Sequence, residues 1–174
     1  MSIDWAQVYG STYEDVVRFL YRKVWDADRA QDLAQETFLR CLREGRPASA
    51  ITNVRAFVFT VANNLARDEA RTVLRRRKHL VLLKNEADAA VDDRDVTAEV
   101  DRERKVAAVQ SALADLSERD REVLLLWDAG LSYQEIAQQT GLAIGAIGTT
   151  LARARRRLVD TYEEIERQKH VARG

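Results

Sequence analysis

The chain of 174 residues contains one cysteine, one proline, two histidines and seven glycines. A single cysteine cannot close an internal disulfide, so the chain suits a reducing compartment. One proline and few glycines leave little material for tight turns and favour long helices. His79 and His170 have no Cys or His neighbour at ligand spacing, so no metal site is expected. There is no glycine-rich phosphate loop, no Ser/His/Asp set and no paired carboxylates in a credible pocket, so neither enzyme activity nor a cofactor is expected. The longest clean apolar run, Val123–Trp127, falls far short of the roughly 20 residues of a membrane helix. The first twenty residues show no basic stretch leading into an apolar core, so they do not read as a signal peptide. These absences point to a soluble cytoplasmic protein with no membrane insertion.

Net charge is also missing: 28 Lys and Arg face 28 Asp and Glu. Taken as a sum, zero argues against a nucleic-acid partner, but a phosphate responds to local charge. Residues 1–78 hold 14 basic and 10 acidic side chains, residues 79–110 hold 5 and 8, and residues 111–174 hold 9 and 10. The sum conceals a basic, an acidic and a mixed segment. Within the acidic one, residues 84–103 carry eight acids, three bases and no aromatic residue. Such a stretch buries too little apolar area to offset its ordering entropy and reads as a linker, partly helical near its end.

What remains has helical periodicity throughout, and the fold class expected is all-α in two small domains. Tyr13, Val16, Val17, Leu20 and Val24 recur at spacings of three and four. Residues 28–44 turn Leu33, Ala34, Thr37, Phe38 and Cys41 inward, with Asp32, Gln35, Glu36 and Arg40 outward or on the flank. Cys41 therefore reads as core, not as a reactive thiol. Residues 45–53 hold the only proline and read as a loop. A long helix is expected from about Val54 to Lys78, ending in Arg71 and the run Arg75, Arg76, Arg77, Lys78. Helical pattern resumes near Lys105.

The last third is the most informative. Ser117 and Ser132 each precede an acid by three residues, Asp120 and Glu135, as helix N-caps do. A helix of about eight residues from Tyr133, a turn at Gly141-Leu142 and a third helix from about Gly145 give a helix-turn-helix layout. On a helical wheel Ile147, Leu151, Ala154 and Leu158 share one side. Gly145, Thr149, Ala152, Arg153 and Arg156 lie opposite, with Arg155 and Arg157 on the flanks, as a major-groove face requires. An arginine run at a helix end is often only solvated and favourable to the helix dipole. Behind a helix-turn-helix, phosphate clamping is the better reading.

Several segments resemble the bacterial sigma factors of the extracytoplasmic-function (ECF) type. Asp32-Leu-Ala-Gln-Glu-Thr-Phe-Leu-Arg40 is similar to that family's DLxQExFLR signature. Residues 57–68, continuing into Arg71 and Arg75–Lys78, resemble the WLxxIARNLAxDxxRRRR helix. Residues 116–124 and 130–137 resemble LxxRxREVxxL and GLSYxEIA, and residues 153–158 resemble RARxxL. The resemblance implies sigma domain 2 over residues 1–80, an acidic linker over 81–106 and sigma domain 4 over 107–170. It implies that Asp32, Gln35 and Glu36 dock on the clamp coiled coil of the largest subunit of core RNA polymerase, with the polymerase flap as a further contact. It assigns the −10 promoter element to Asn53, Asn63, Asn64, Asp68, Arg71, Arg75, Arg76 and Arg77. The −35 element falls to Gly145, Ala146, Thr149, Thr150, Arg153, Arg156 and Arg157. The linker would thread the RNA-exit path, and an anti-sigma factor would control the whole. A stand-alone helix-turn-helix regulator that binds duplex DNA without polymerase is the rival expectation.

Three departures from the family pattern stand out. Arg29-Ala-Gln-Asp32 replaces a more acidic Asp-Ala-Glu-Asp. Phe57 and Asn63 stand where Trp and Arg are usual. The recognition helix has Gly148 and Thr150 in place of a Lys and an Arg, so two phosphate contacts are missing. Weak −35 binding that leans on Arg153, Arg156 and Arg157 is therefore expected.

Overall fold

The computed structural model describes residues 2–44, 48–81 and 97–172. They form helices, a short 3-10 turn at Ala48–Ala50 and, among the described residues, no strand. The chain divides into two compact units, Met1–Ala89 and Ala90–Gly174.

The first unit is a bundle of α1 (Trp5–Val24), α2 (Ala27–Arg43) and α3 (Val54–Val81). Each of the first two starts on an aspartate: Asp4 accepts from the Gln7 N–H at 3.1 Å, and Asp26 from the Arg29 N–H at 2.9 Å. These caps satisfy amides that a helix start leaves unpaired and place negative charge at its positive end. The pairs Asp15–Arg55 and Phe19–Phe59 show a constant offset of forty residues, so α1 and α3 run parallel. Their inward faces bury Val16, Leu20, Val58, Phe59, Ala62 and Leu65, while α2 contributes Leu33, Ala34, Thr37, Phe38 and Cys41. Burial pushes the Cys41 thiol up to about 12, so it stays protonated and inert. The 3.6-residue period located the inward residues of α2 except Ala30, but it missed Phe59, Ala62 and Ala66 on α3, where the core wraps more than one stripe.

The second unit contains α4 (Thr97–Ala114), α5 (Glu118–Asp128), α6 (Tyr133–Thr140) and α7 (Ile144–Val171). The Ser117 hydroxyl caps α5 by accepting from the Asp120 N–H at 3.1 Å. Ser132 and Glu135 exchange both bonds of a capping box at 3.3 and 2.8 Å. Gly141 ends α6 at φ 71°, a left-handed conformation that costs glycine little and turns the chain sharply into α7. The core holds Ala112, Leu113, Leu116, Val123, Leu126, Ile136, Ile147 and Leu151. Helix α4 begins eight residues before Lys105, inside the stretch expected to be linker. Its early turns carry the ion pair Asp101–Arg104 at 3.8 Å, and the Lys169 ammonium of α7 donates to the Arg104 carbonyl at 3.4 Å. Tertiary support of this kind stabilises a turn that composition alone does not. The rest of the acidic stretch, residues 82–96, lies outside the described residues. None of the described helices is long and apolar enough to cross a membrane.

Candidate nucleic-acid and docking surfaces

In the first unit, α2 presents Asp32 and Gln35 to solvent with Glu36 half-buried beside them. Asp32, Glu36 and Asp68 line a groove of about 380 Å³ between α2 and α3. Two arginines border it, and both are committed. Arg29 grips Glu69 with two bonds of 2.7 Å, and Arg40 reaches Glu36 at 2.9 Å. The Arg29 bonds hold the Glu69 carboxyl below the usual range, and the Arg40 bond does the same for Glu36. The unusual Arg29 is bonded to Glu69 on α3 and not to Asp32, although its charge still acts on Asp32, and Glu36 is held by Arg40. Glu69 was not legible as its partner, because the pair spans forty residues and two helices.

The residues expected at the −10 element separate into two groups. Asn64, Asp68, Arg71, Arg75 and Arg76 are exposed along α3, with Asp68 and Arg71 paired at 3.7 Å. The Arg77 side chain lies outside the described residues. Asn53 caps α3, its side-chain oxygen accepting from the Ala56 N–H at 3.2 Å. Asn63 is 1 % exposed. The direct DNA contact expected of Asn63 does not hold: its place on the wheel beside Ala62 and Ala66 puts it inside the bundle.

On α7, Gly145, Thr149, Ala152, Arg153 and Arg156 are exposed and Ala146 is half-buried, while Ile147, Leu151 and Ala154 are buried. Thr150 is 5 % exposed, which corrects its placement on the DNA face. It sits 100° from Leu151 and 60° from Ile147, and its small size lets it join the core side.

The arginine run is largely occupied by its own unit. Arg153 forms a two-bond pair with Asp120 of α5, with 3.0 Å between Nε and Oδ2. Arg157 meets Asp115 at 3.1 Å, and the Thr161 hydroxyl donates to the same carboxylate at 3.0 Å. Arg155 lies over the Trp127 ring, 3.7 Å from its centroid. Arg156 alone of the four makes no ion pair or ring contact among the described residues. The Arg153 and Arg157 bonds hold the Asp120 and Asp115 carboxyls below their ordinary values. No motif spacing signals these acids as partners; only the packing of α7 against α4 and α5 brings them together.

Two small helical units, one with an acidic-and-amide docking face and a basic helix, the other with a helix-turn-helix, define a two-site DNA-binding transcription factor. Comparison with known proteins gives the family. The Sigma-70 region 2 family model matches residues 8–77, and Sigma-70, region 4 matches residues 107–158. The RNA polymerase sigma factor YlaC of Bacillus subtilis is 26% identical over 165 residues, covering 94% of this chain and 95% of that protein. The ECF RNA polymerase sigma factor SigC of Mycobacterium tuberculosis is 33% identical over 154 residues, covering 88% and 80%. The fold matches that of the sigma factor RpoE in its complex with the anti-sigma factor NepR from Bartonella quintana. That match has a TM-score of 0.69 and 24% identity, and it covers 92% of this chain and 97% of that one. The chain belongs to the ECF RNA polymerase sigma factors. It is a transcription-initiation factor and not an enzyme.

Proposed function

We propose that the two units divide promoter recognition between them, with core polymerase held by the first. Asp32, Gln35 and Glu36 dock on a basic surface of the largest subunit's clamp coiled coil. Acid and amide on a rigid helix supply steering and register more than bulk affinity. The observation that carries this is the exposure of Asp32: Arg29 is turned to Glu69 at 2.7 Å and Arg40 to Glu36 at 2.9 Å, while Asp32 stays exposed beside an open groove.

Exposed Arg71, Arg75 and Arg76 with Asn64 contact the −10 element. Opening it needs contacts that offset about 1.4 kcal/mol of stacking per base step. Gly145, Ala146 and Thr149 approach the −35 element, with Arg156 as the main phosphate contact. The boundaries are domain 2 over residues 1–80, linker over 81–106 and domain 4 over 107–170. The protein works in the cytoplasm, where core polymerase is found, under an anti-sigma factor that covers the α2 face, the recognition helix, or both. A stand-alone duplex-binding regulator has no use for the α2 face, and the family match over both units favours the sigma reading. Run-off transcription with purified core polymerase tests it. A promoter-dependent transcript is expected; no transcript and no co-elution with core would overturn it.

A further inference from the structure

Trp25, at the junction of α1 and α2, is the one non-glycine residue among those described with a positive φ, at φ 55° and ψ 29°. Its N–H donates to the Tyr21 carbonyl at 2.7 Å and closes α1. The left-handed conformation strains any side chain with a Cβ, and for a bulky residue it is a genuine outlier. Glycine meets this requirement without strain. A tryptophan held there, half-buried and not sealed in the core, signals a use for the ring.

The surroundings indicate which use. The Tyr21 and Trp25 rings meet edge to face, with centroids 5.4 Å apart. Arg18, Arg22 and Lys23 occupy the last two turns of α1, Arg18 paired with Asp15 at 3.3 Å and Lys23 over the Phe19 ring at 5.3 Å, and exposed Asp26 and Asp28 follow Trp25. The parallel register of α1 and α3 sets Trp25 level with Leu65, and Arg29–Glu69 fixes the start of α2 at the same end of the bundle. From that level α3 continues as an exposed basic helix through Arg71, Arg75 and Arg76. At 1.5 Å per residue these side chains begin roughly 9 Å beyond the ring. An aromatic pair flanked by cations, where a basic helix leaves the bundle, is what binds unpaired nucleotides: stacking on the ring with phosphates on the bases around it.

We propose that Tyr21 and Trp25 form a stacking platform for an unpaired base of single-stranded DNA at this end of the first unit. The proposal extends the promoter-opening part of the function given above and rests on it. It adds a contact point on α1, separate from the residues of α3 and of the 45–53 loop.

The test uses the full chain and a fluorescein-labelled oligo-dT 15-mer, with a duplex of equal length and core polymerase as controls. Trp25→Gly removes the ring and relieves the backbone. The variant is expected to unfold at the same or a higher temperature than the wild type and to co-elute with core polymerase. It should bind the single strand roughly 5- to 150-fold more weakly, the range set by one lost stack, with duplex binding unchanged. Trp25→Phe should recover part of the loss. In a Trp5→Phe, Trp127→Phe background, where Trp25 is the sole tryptophan, the oligonucleotide should quench its fluorescence. A lower unfolding temperature for Trp25→Gly would mean that the ring is there for packing, and would overturn the proposal. So would unaltered single-strand binding, an equal loss of duplex binding, or a selective loss of core binding, which would mark a protein contact. Failure of the wild type to bind core polymerase would instead sink the sigma reading itself.

Discussion

Asp120 is a carboxylate only 5 % exposed, and its charge is compatible with that position because Arg153 reaches it with two bonds; its own N–H is spent on the Ser117 cap. The pair ties α5 to the recognition helix, so Arg153 acts as a strut between them. Asp120→Asn is expected to lower the unfolding temperature at neutral pH, because an amide cannot hold the guanidinium equally well. The carboxyl titrates below its ordinary value in the folded state. Its stabilisation is therefore complete above the unfolded value of about 3.9 and is lost as pH falls through the lower folded value. Thermal melts of wild type and Asp120→Asn should converge over that acid range, and a gap that persists below it would contradict the assignment. The sequence allowed Arg153 to be placed on the exposed side of α7 but not to be matched with Asp120. The pairing depends on how three helices cross, and a linear spacing does not encode that. Asn63 and Thr150 were misplaced for a different reason: both were carried over from the family's motif positions, and the small polar residues found there in this chain pack into the core.

The elements of the second unit were largely legible because their punctuation is chemical. Serine caps, the capping-box Glu135 and the turn at Gly141 each satisfy a specific backbone requirement. Ser132→Ala is expected to cost about 1 kcal/mol of stability, measured by denaturant unfolding. The recognition helix itself is weakened near its start by Gly148. A Cβ placed there meets Tyr133 Cε2 at 3.5 Å, an ordinary contact, so alanine fits without displacement. Gly148→Ala should stabilise the unit by about 1 kcal/mol, and a loss of stability would show that the space is tighter than it looks. The arginine run on the same helix makes a further prediction. Arg156→Ala should lower the salt slope of −35 binding by about one, measured by gel shift. Arg155→Ala and Arg157→Ala should change it less, since those side chains are already held by Trp127 and Asp115. An equal effect from all three would mean that the internal contacts open on DNA. The start of α4 was less legible, because an acidic sequence with few apolar residues gives no sign of the long α7 that supports it.

At the scale of the whole molecule, a net charge of zero hides surfaces of opposite sign. Basic residues gather toward the end of α3 and in the middle of α7, which runs on to Val171, while acids lie on an outward face of α2. Helical periodicity carried the all-α fold, and the order of motifs along the chain carried the family. The electrostatic wiring within each unit was not readable, since every one of the pairs Arg29–Glu69, Arg153–Asp120 and Arg157–Asp115 spans more than thirty residues. That wiring decides which charges remain available outward, and it leaves Asp32 and Gln35 exposed on α2 with Glu36 held by Arg40 beside them. The most direct measurement is co-elution of the Asp32→Arg, Glu36→Arg variant with purified core polymerase, beside the wild type and with circular dichroism to verify folding. The account predicts a folded variant that elutes free of core and supports no promoter-dependent transcript. A folded variant that co-elutes and transcribes as the wild type does would contradict it.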